Sequence, residues 1–150
     1  MYIPPLKAIA ANLNLEPAAL NGQGPVVVPA PFIKFLLQLV IANGHFNEDG
    51  YLKSNPDVAS AAARGQLGDP RVHYIRYGFF EGRLGATPEV DEQWYRRAYA
   101  DVASAVSSGA IASASAHFSS IGCVEGRSPS SAYEADSSEW KRVLGSSGAA

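Results

Sequence analysis

With one cysteine in 150 residues, Cys123, the chain can build neither an intrachain disulfide nor a cysteine-based zinc site, so nothing in it requires an oxidising compartment. A basic excess is also missing. Twelve Lys and Arg against fourteen Asp and Glu leave a net charge of −2. Nucleic-acid surfaces carry clustered positive charge, so that class of partner is disfavoured. No apolar run approaches the roughly 18 residues of a membrane span. The opening stretch, Met1 to Lys7, lacks a basic segment followed by an apolar one, and Pro4 and Pro5 interrupt it. These absences make the cytoplasm the expected location, with secretion without a conventional signal peptide as the alternative.

What is present is a duplication. The stretch Phe46 to Arg83 recurs without a gap as Val90 to Arg127, at an offset of 44 residues. The copies share Tyr51/Tyr95, the five residues from Asp57 and from Asp101, Gly65/Gly109, His73/His117, Gly78/Gly122, and Glu-Gly-Arg at 81–83 and 125–127. A duplicated unit of this size marks an array of small supersecondary modules, each short of apolar surface by itself. Helix signals fall at matching places in both copies. Asn47 and Asp91 suit N-caps, with Phe46 or Val90 closing onto Tyr51 or Tyr95. Asn55 before Pro56 reads as a second cap, and Asp69-Pro70 and Ser113-Ala114 as a third. Gly78 and Gly122 read as C-terminal caps, Tyr74/Tyr77 and Phe118/Ile121 as core-facing stripes, and Gly82 and Gly126 as positions that resist a side chain. The expected fold is therefore all-α: two three-helix repeats, 46–83 and 90–127, packed together.

The flanks differ from the repeats. Residues 1–31, rich in Pro and Gly, read as an arm with short helical pieces such as Leu6 to Leu13, either wrapped over its own domain or exchanged with a neighbour. Residues 32–43 read as a helix in which Lys34 and Gln38 are the only polar residues ahead of Asn43 at its end. That helix is expected to belong to a single domain over 32–130, with 131–150 as a tail containing a short helix near Ser138 to Leu144. Its apolar circumference predicts a homodimer or higher homo-oligomer, with Phe32, Phe35, Leu36, Leu39 and Val40 at the interface.

The pattern Tyr51-Leu-x-x-Asn-Pro-Asp-Val-Ala, then Gly65, then His73-Tyr-x-x-Tyr-Gly-x-x-Glu-Gly-Arg83, resembles a bacterial tandem repeat found with glycosyltransferases and with rhamnan- or capsule-type polysaccharide biosynthesis proteins. The second copy departs from it at Tyr99-Ala100 and at Phe118. The resemblance implies an accessory role in bacterial exopolysaccharide or cell-surface glycan production and carries no catalytic activity with it.

The repeated ionisable residues are Asp57, His73, Glu81 and Arg83, with Asp101, His117, Glu125 and Arg127. No repeated Ser or Cys nucleophile, glycine-rich phosphate loop or paired metal-ligand spacing accompanies them, so no catalytic, cofactor-binding or metal residue is expected. A structural role is favoured: each Arg pairs with a carboxylate, and each His donates to a carbonyl or carboxylate, fastening the loop after helix three onto helix two. Loss of Arg83 or Arg127 should then cost several degrees of thermal stability through a partly buried carboxylate. The rival reading is a carbohydrate-binding module or small glycan-acting enzyme, with Tyr74, Tyr77, Phe79, Phe80, Trp94, Tyr95 and Tyr99 stacking on sugars. Trp140 is expected to dock the C-terminus, and Cys123 to be small and buried.

Overall fold

The computed structural model describes residues 2–22 and 24–145. Its fold is all-α, with no strand among the described residues. The chain divides into two compact units, Met1–Asn43 and Gly44–Ala150. The boundary falls after the apolar helix, which corrects the expected domain over 32–130.

In the first unit, α1 covers Leu6–Leu13 and ends on Asn14, whose left-handed φ of 53° lets its N–H reach back to the Ala10 and Ala11 carbonyls. A 3₁₀ turn follows at Pro17–Asn21. Helix α2 spans Ala30–Asn43, starting two residues earlier than expected, because the Pro29 carbonyl accepts from the Phe32 and Ile33 N–H groups at 2.9 and 3.3 Å. None of its residues is buried.

The second unit holds the duplication. Helices α3 (Glu48–Ser54), α4 (Pro56–Ala63) and α5 (Pro70–His73) are followed by α6 (Glu92–Ala98), α7 (Ala100–Ser107) and α8 (Ala114–His117), with every boundary displaced by 44 residues. Both α5 and α8 run on into a π-helical turn, Tyr74–Gly78 and Phe118–Gly122. The caps explain the starts. Gly50 N–H donates to the Asn47 side chain, Gln93 and Trp94 N–H to Asp91, Arg71 N–H to Asp69, and Ala116 N–H to the Ser113 hydroxyl. Asn55 is the exception. Its side chain makes no cap bond and instead donates to the Tyr51 and Leu84 carbonyls, at 2.7 and 2.9 Å. Pro56 can start α4 without it, because a first-turn proline has no N–H to satisfy.

Two small cores result. Tyr51, Val58 and Ala86 form one, joined by Phe46, Leu52, Leu67 and Tyr74. Tyr95, Val102, Ala114 and Phe118 form the other, joined by Val90, Trp94, Tyr99, Val106 and Ile111. Among the described residues, the helix pairs in substantial contact lie within a repeat rather than between repeats. Both copies nevertheless belong to one compact unit, Gly44–Ala150. The chain after each Arg returns to the start of its own repeat: Asn47 N–H donates to the Ala86 carbonyl and Asp91 N–H to the Pro129 carbonyl, at 3.2 and 3.0 Å.

The glycines of the π turns are not C-terminal caps. Gly78 and Gly122 are buried with the hydroxyls of Tyr51 and Tyr95 against their Cα hydrogens, where an added Cβ would overlap that oxygen. The left-handed positions come four residues later, at Gly82 (φ 69°) and Gly126 (φ 68°), as expected. The wider π turn also undoes the three-apart stripe. Tyr74 and Phe118 pack on their cores, while Tyr77 and Ile121 point into solvent. Cys123 is exposed on the same turn, not buried.

The tail begins with a 3₁₀ turn, Ser131–Tyr133, and continues as α9, Glu134–Gly145, which is longer than expected. Trp140 is half-exposed and does not dock it. Contact comes from Lys141 instead, whose side chain lies over Gly126. The tail's end at 146–150, expected to fray, lies outside the described residues.

Replacing Gly122 with Ala should lower stability by about 1–3 kcal/mol, the usual range for overpacking. Thermal denaturation read by circular dichroism would measure it. Tyr95→Phe in the same chain should recover part of the loss by removing the overlapping oxygen. An unchanged midpoint for Gly122→Ala would contradict the packing described.

Candidate functional site

The repeated ionisable residues separate into two kinds of arrangement in each copy. In the first, an arginine collects two carboxylates. Arg83 Nη1 donates to both oxygens of Asp57 at 2.8 and 2.9 Å, and its Nε donates to Glu81 at 2.6 Å. Arg127 meets Asp101 fork on fork, Nη1 to Oδ1 at 2.9 Å and Nη2 to Oδ2 at 2.7 Å, while its Nε donates to Glu125 at 2.6 Å. Asp57 and Asp101 are the second residues of α4 and α7, where a helix N-terminus favours negative charge. The arginines follow the left-handed glycines. Arg83 and Arg127 N–H donate back to the Gly78 and Gly122 carbonyls at 2.9 and 2.8 Å, and their guanidinium groups reach the start of the second helix of their own repeat, α4 or α7.

In the second, a histidine meets a tyrosine. The Tyr51 hydroxyl lies 2.9 Å from His73 Nδ1 and the Tyr95 hydroxyl 3.1 Å from His117 Nδ1. The expected carbonyl or carboxylate partner of each His is thus replaced by a phenol. Both tyrosines are completely buried. Burial pushes the Tyr51 hydroxyl above its ordinary range and that of Tyr95 up to about 12, against the opposing pull of the nearby arginine. Neither phenol is therefore a ready proton donor at neutral pH.

The arginine clusters are electrostatically matched but wet. The hydrogen bond from Arg127 holds the Asp101 carboxyl at about 2, and the bond from Arg83 holds Asp57 below its ordinary value. The Asp side chains nevertheless remain 64% and 61% exposed, in repeat one and repeat two respectively. The expected partly buried carboxylate is corrected on that ground, and exposed pairs of this kind contribute little to stability.

The second copy carries additions that its sequence departures explain. Tyr99, where repeat one has Asn55, accepts a hydrogen bond from Ser128 N–H at 2.9 Å and lies under the Arg127 guanidinium, 4.8 Å from ring centroid to Cζ. Asn55 meets the corresponding residue, Leu84, through its carbonyl instead. Glu92 was not singled out from the sequence. It accepts from Ala114 N–H at 3.0 Å and Ser115 N–H at 2.8 Å, tying α6 to the start of α8. Burial raises its carboxyl, but the hydrogen bonds from Ser115 and Ala114 outweigh that and leave it below the usual range. Repeat one cannot copy this clamp, because Pro70 has no N–H. The signal was present in the sequence as the shared Glu48/Glu92.

An open concavity of about 690 Å³ lies beside the second cluster, lined by Tyr99, Asp101, Glu125, Arg127 and Lys141 among others. No group of three or more metal-ligating side chains occurs among the described residues. Of the expected interface residues, Phe35, Leu36 and Val40 are exposed, and Phe32 and Leu39 are half-buried. No family model, curated protein or solved structure matches the chain. Among the described residues, no helix is long and apolar enough to cross a membrane.

The Asp101 shift fixes a pH dependence. A carboxyl whose pKa is depressed on folding contributes stability above its unfolded value and loses it as pH falls through the folded one. The midpoint of thermal unfolding should therefore drop between the ordinary aspartate value of 3.8 and about 2. Arg127→Gln should flatten that drop while costing only about 0.5–1 kcal/mol at neutral pH. A pH profile unchanged by Arg127→Gln would contradict the assignment.

Proposed function

We propose that the chain is a non-catalytic interaction or scaffold protein that acts as a homo-oligomer, an accessory factor in bacterial exopolysaccharide or cell-surface glycan production working in the cytoplasm. The observation that carries the scaffold reading is a division of labour between side chains. Each member of the repeated Asp, His, Glu and Arg set is engaged within its own repeat, while several large apolar side chains outside that set are exposed. Helix α2 is the main case: Phe35 and Val40 are 53% and 52% exposed, with Ile33 and Leu36 beside them. An apolar helix with no buried residue presents the kind of surface that soluble proteins cover by association. A second copy of the same helix across a two-fold axis covers it with no new sequence. The glycan context rests on the repeat resemblance alone.

The concavity beside Tyr99 and Lys141 favours a second reading, carbohydrate binding. Its aromatic ring is already occupied by Arg127 on one side and by Tyr95, with centroids 4.6 Å apart, which leaves little face for a sugar.

Light scattering at micromolar concentration should give a mass above the 15.8 kDa of one chain. Leu36→Glu should reduce that mass while the helical circular dichroism is kept. A wild-type protein at the single-chain mass would overturn the oligomer. Deleting the gene in its host should lower surface polysaccharide, and unchanged output would overturn the glycan assignment.

A further inference from the structure

The first unit, Met1–Asn43, is built differently from the second. Among its described residues Ala10 alone is buried, whereas the second unit encloses the two cores around Tyr51 and Tyr95. Its large apolar side chains face outward instead. Val27 is 90% exposed, and on α2 Ile33, Phe35, Leu36 and Val40 are exposed by 40% to 53%. The two helices of the unit do not close on each other either. Among the described residues α1 is in substantial contact with the 3₁₀ turn that follows it, and no such contact joins α1 to α2.

Helix α2 must then be sustained largely by its own sequence, and it is poorly equipped for that. Isolated helices are marginal in water up to about 12–15 residues even when rich in alanine, and α2 has 14. Phe32, Ile33, Phe35, Val40 and Ile41 carry aromatic or β-branched side chains, which lose rotamer freedom in a helix. Charge pairs give no help, because Lys7, Glu16 and Lys34 are the charged side chains of the whole unit. Cover from outside has to supply the difference. A lipid surface fits that role poorly: helices that lie on one set a strongly charged face opposite the apolar one, and α2 has only Lys34 and Gln38 ahead of Asn43. At about 1.5 Å per residue α2 is also too short for the roughly 30 Å of a bilayer core. A second α2 fits well, because two apolar and nearly uncharged surfaces meet without strong like-charge repulsion and few polar groups lose water in the contact.

We infer that α2 folds on association: it is helical while covered by α2 of a second copy, and a chain on its own loses this helix while its repeats stay folded. The inference rests on the α2 oligomer proposed above and adds that association and the folding of α2 are one event, with the ordering cost met by the contact. The repeats are unaffected because neither core contains a residue of the first unit. The helical circular dichroism that Leu36→Glu keeps is then that of the repeats, so a method that resolves the chain segment by segment is required.

The test is hydrogen exchange read by mass spectrometry on the full chain, along a dilution series whose mass is followed by sedimentation. In the associated form the amides of α2 beyond its first turn should be protected. In the single-chain form they should exchange at the rate of an unfolded peptide, while those of α3, α4, α6 and α7 keep their protection. Leu36→Glu should show the single-chain pattern at a concentration where the wild-type chain is associated. Leu36→Met, which keeps an apolar side chain, should keep both the mass and the protection. A single chain with α2 still protected would overturn the inference and leave the oligomer standing. An associated form with α2 unprotected would overturn it too, by placing the contact elsewhere. A wild-type protein at the 15.8 kDa of one chain at every concentration would remove the inference together with the α2 oligomer.

Discussion

The fit of one tyrosine hydroxyl between a glycine and a histidine is the constraint on which each repeat depends. Tyr51 and Tyr95 have no exposed surface, in modules of about forty residues whose cores contain few other fully buried side chains. Burying such a ring contributes on the order of 1.5–3 kcal/mol, and the hydrogen bond to His Nδ1 about 0.5–1.5 kcal/mol more. Both gains require the ring to reach the far helix, and that requires Gly78 or Gly122. Any side chain there would hold the helices apart and leave a buried phenol without its partner. The π turn fits this arrangement. Widening the helix by one residue per turn lets the glycine face the tyrosine while the preceding aromatic packs inward.

Around that joint the arginine cluster works as a latch rather than as a support. Its carboxylates are mostly in water, so its energetic weight is small, yet its geometry decides where the chain goes next. Arg83 and Arg127 take their direction from backbone bonds to Gly78 and Gly122 and then grip Asp57 and Asp101 at the starts of α4 and α7. The segment after each arginine is turned back toward the first helix of its own repeat, where backbone hydrogen bonds hold it. The two copies finish this turn by different chemistry. Asn55 donates to a carbonyl, whereas Tyr99 accepts from an N–H and stacks under the arginine. Divergence at this position therefore exchanged the polarity of one hydrogen bond and preserved the joint.

Much of this was legible in the sequence because it is local. The caps at Asn47, Asp91, Asp69 and Ser113 depend on a residue and its neighbours two or three positions on, and the duplication confirmed each reading by showing it twice. The arginine–carboxylate pairing was legible as well, since these were the repeated charges of opposite sign. What could not be read was long-range and steric. A glycine that ends a helix and a glycine that admits a distant hydroxyl look alike, and a tyrosine at a staple position does not announce that its hydroxyl spans 22 residues to a histidine. The π turn was equally hidden, and the inward placement of Tyr77 and Ile121 failed with it, because spacing rules assume the α-helical period. Glu92 shows the reverse case. Its recurrence was visible, but its use depends on whether the third helix begins with Ala114 or with a proline that has no N–H to offer.

Self-closure also changes what the duplication means. Repeats that stack bury their apolar faces on one another, and their number is set by stability. Here each copy has its own sealed core and its own latch, and the helix pairs between copies are not in substantial contact. The helices of each copy close chiefly on one another. Under the scaffold proposal, two modules on one chain offer two positions for contact, and linked contacts gain from effective concentration. On this argument the exposed apolar residues are not remnants of an unfinished core. Phe79 and Tyr77 lean on Tyr74 and His73 from outside, and each module turns such residues outward by the same packing that buries its tyrosine.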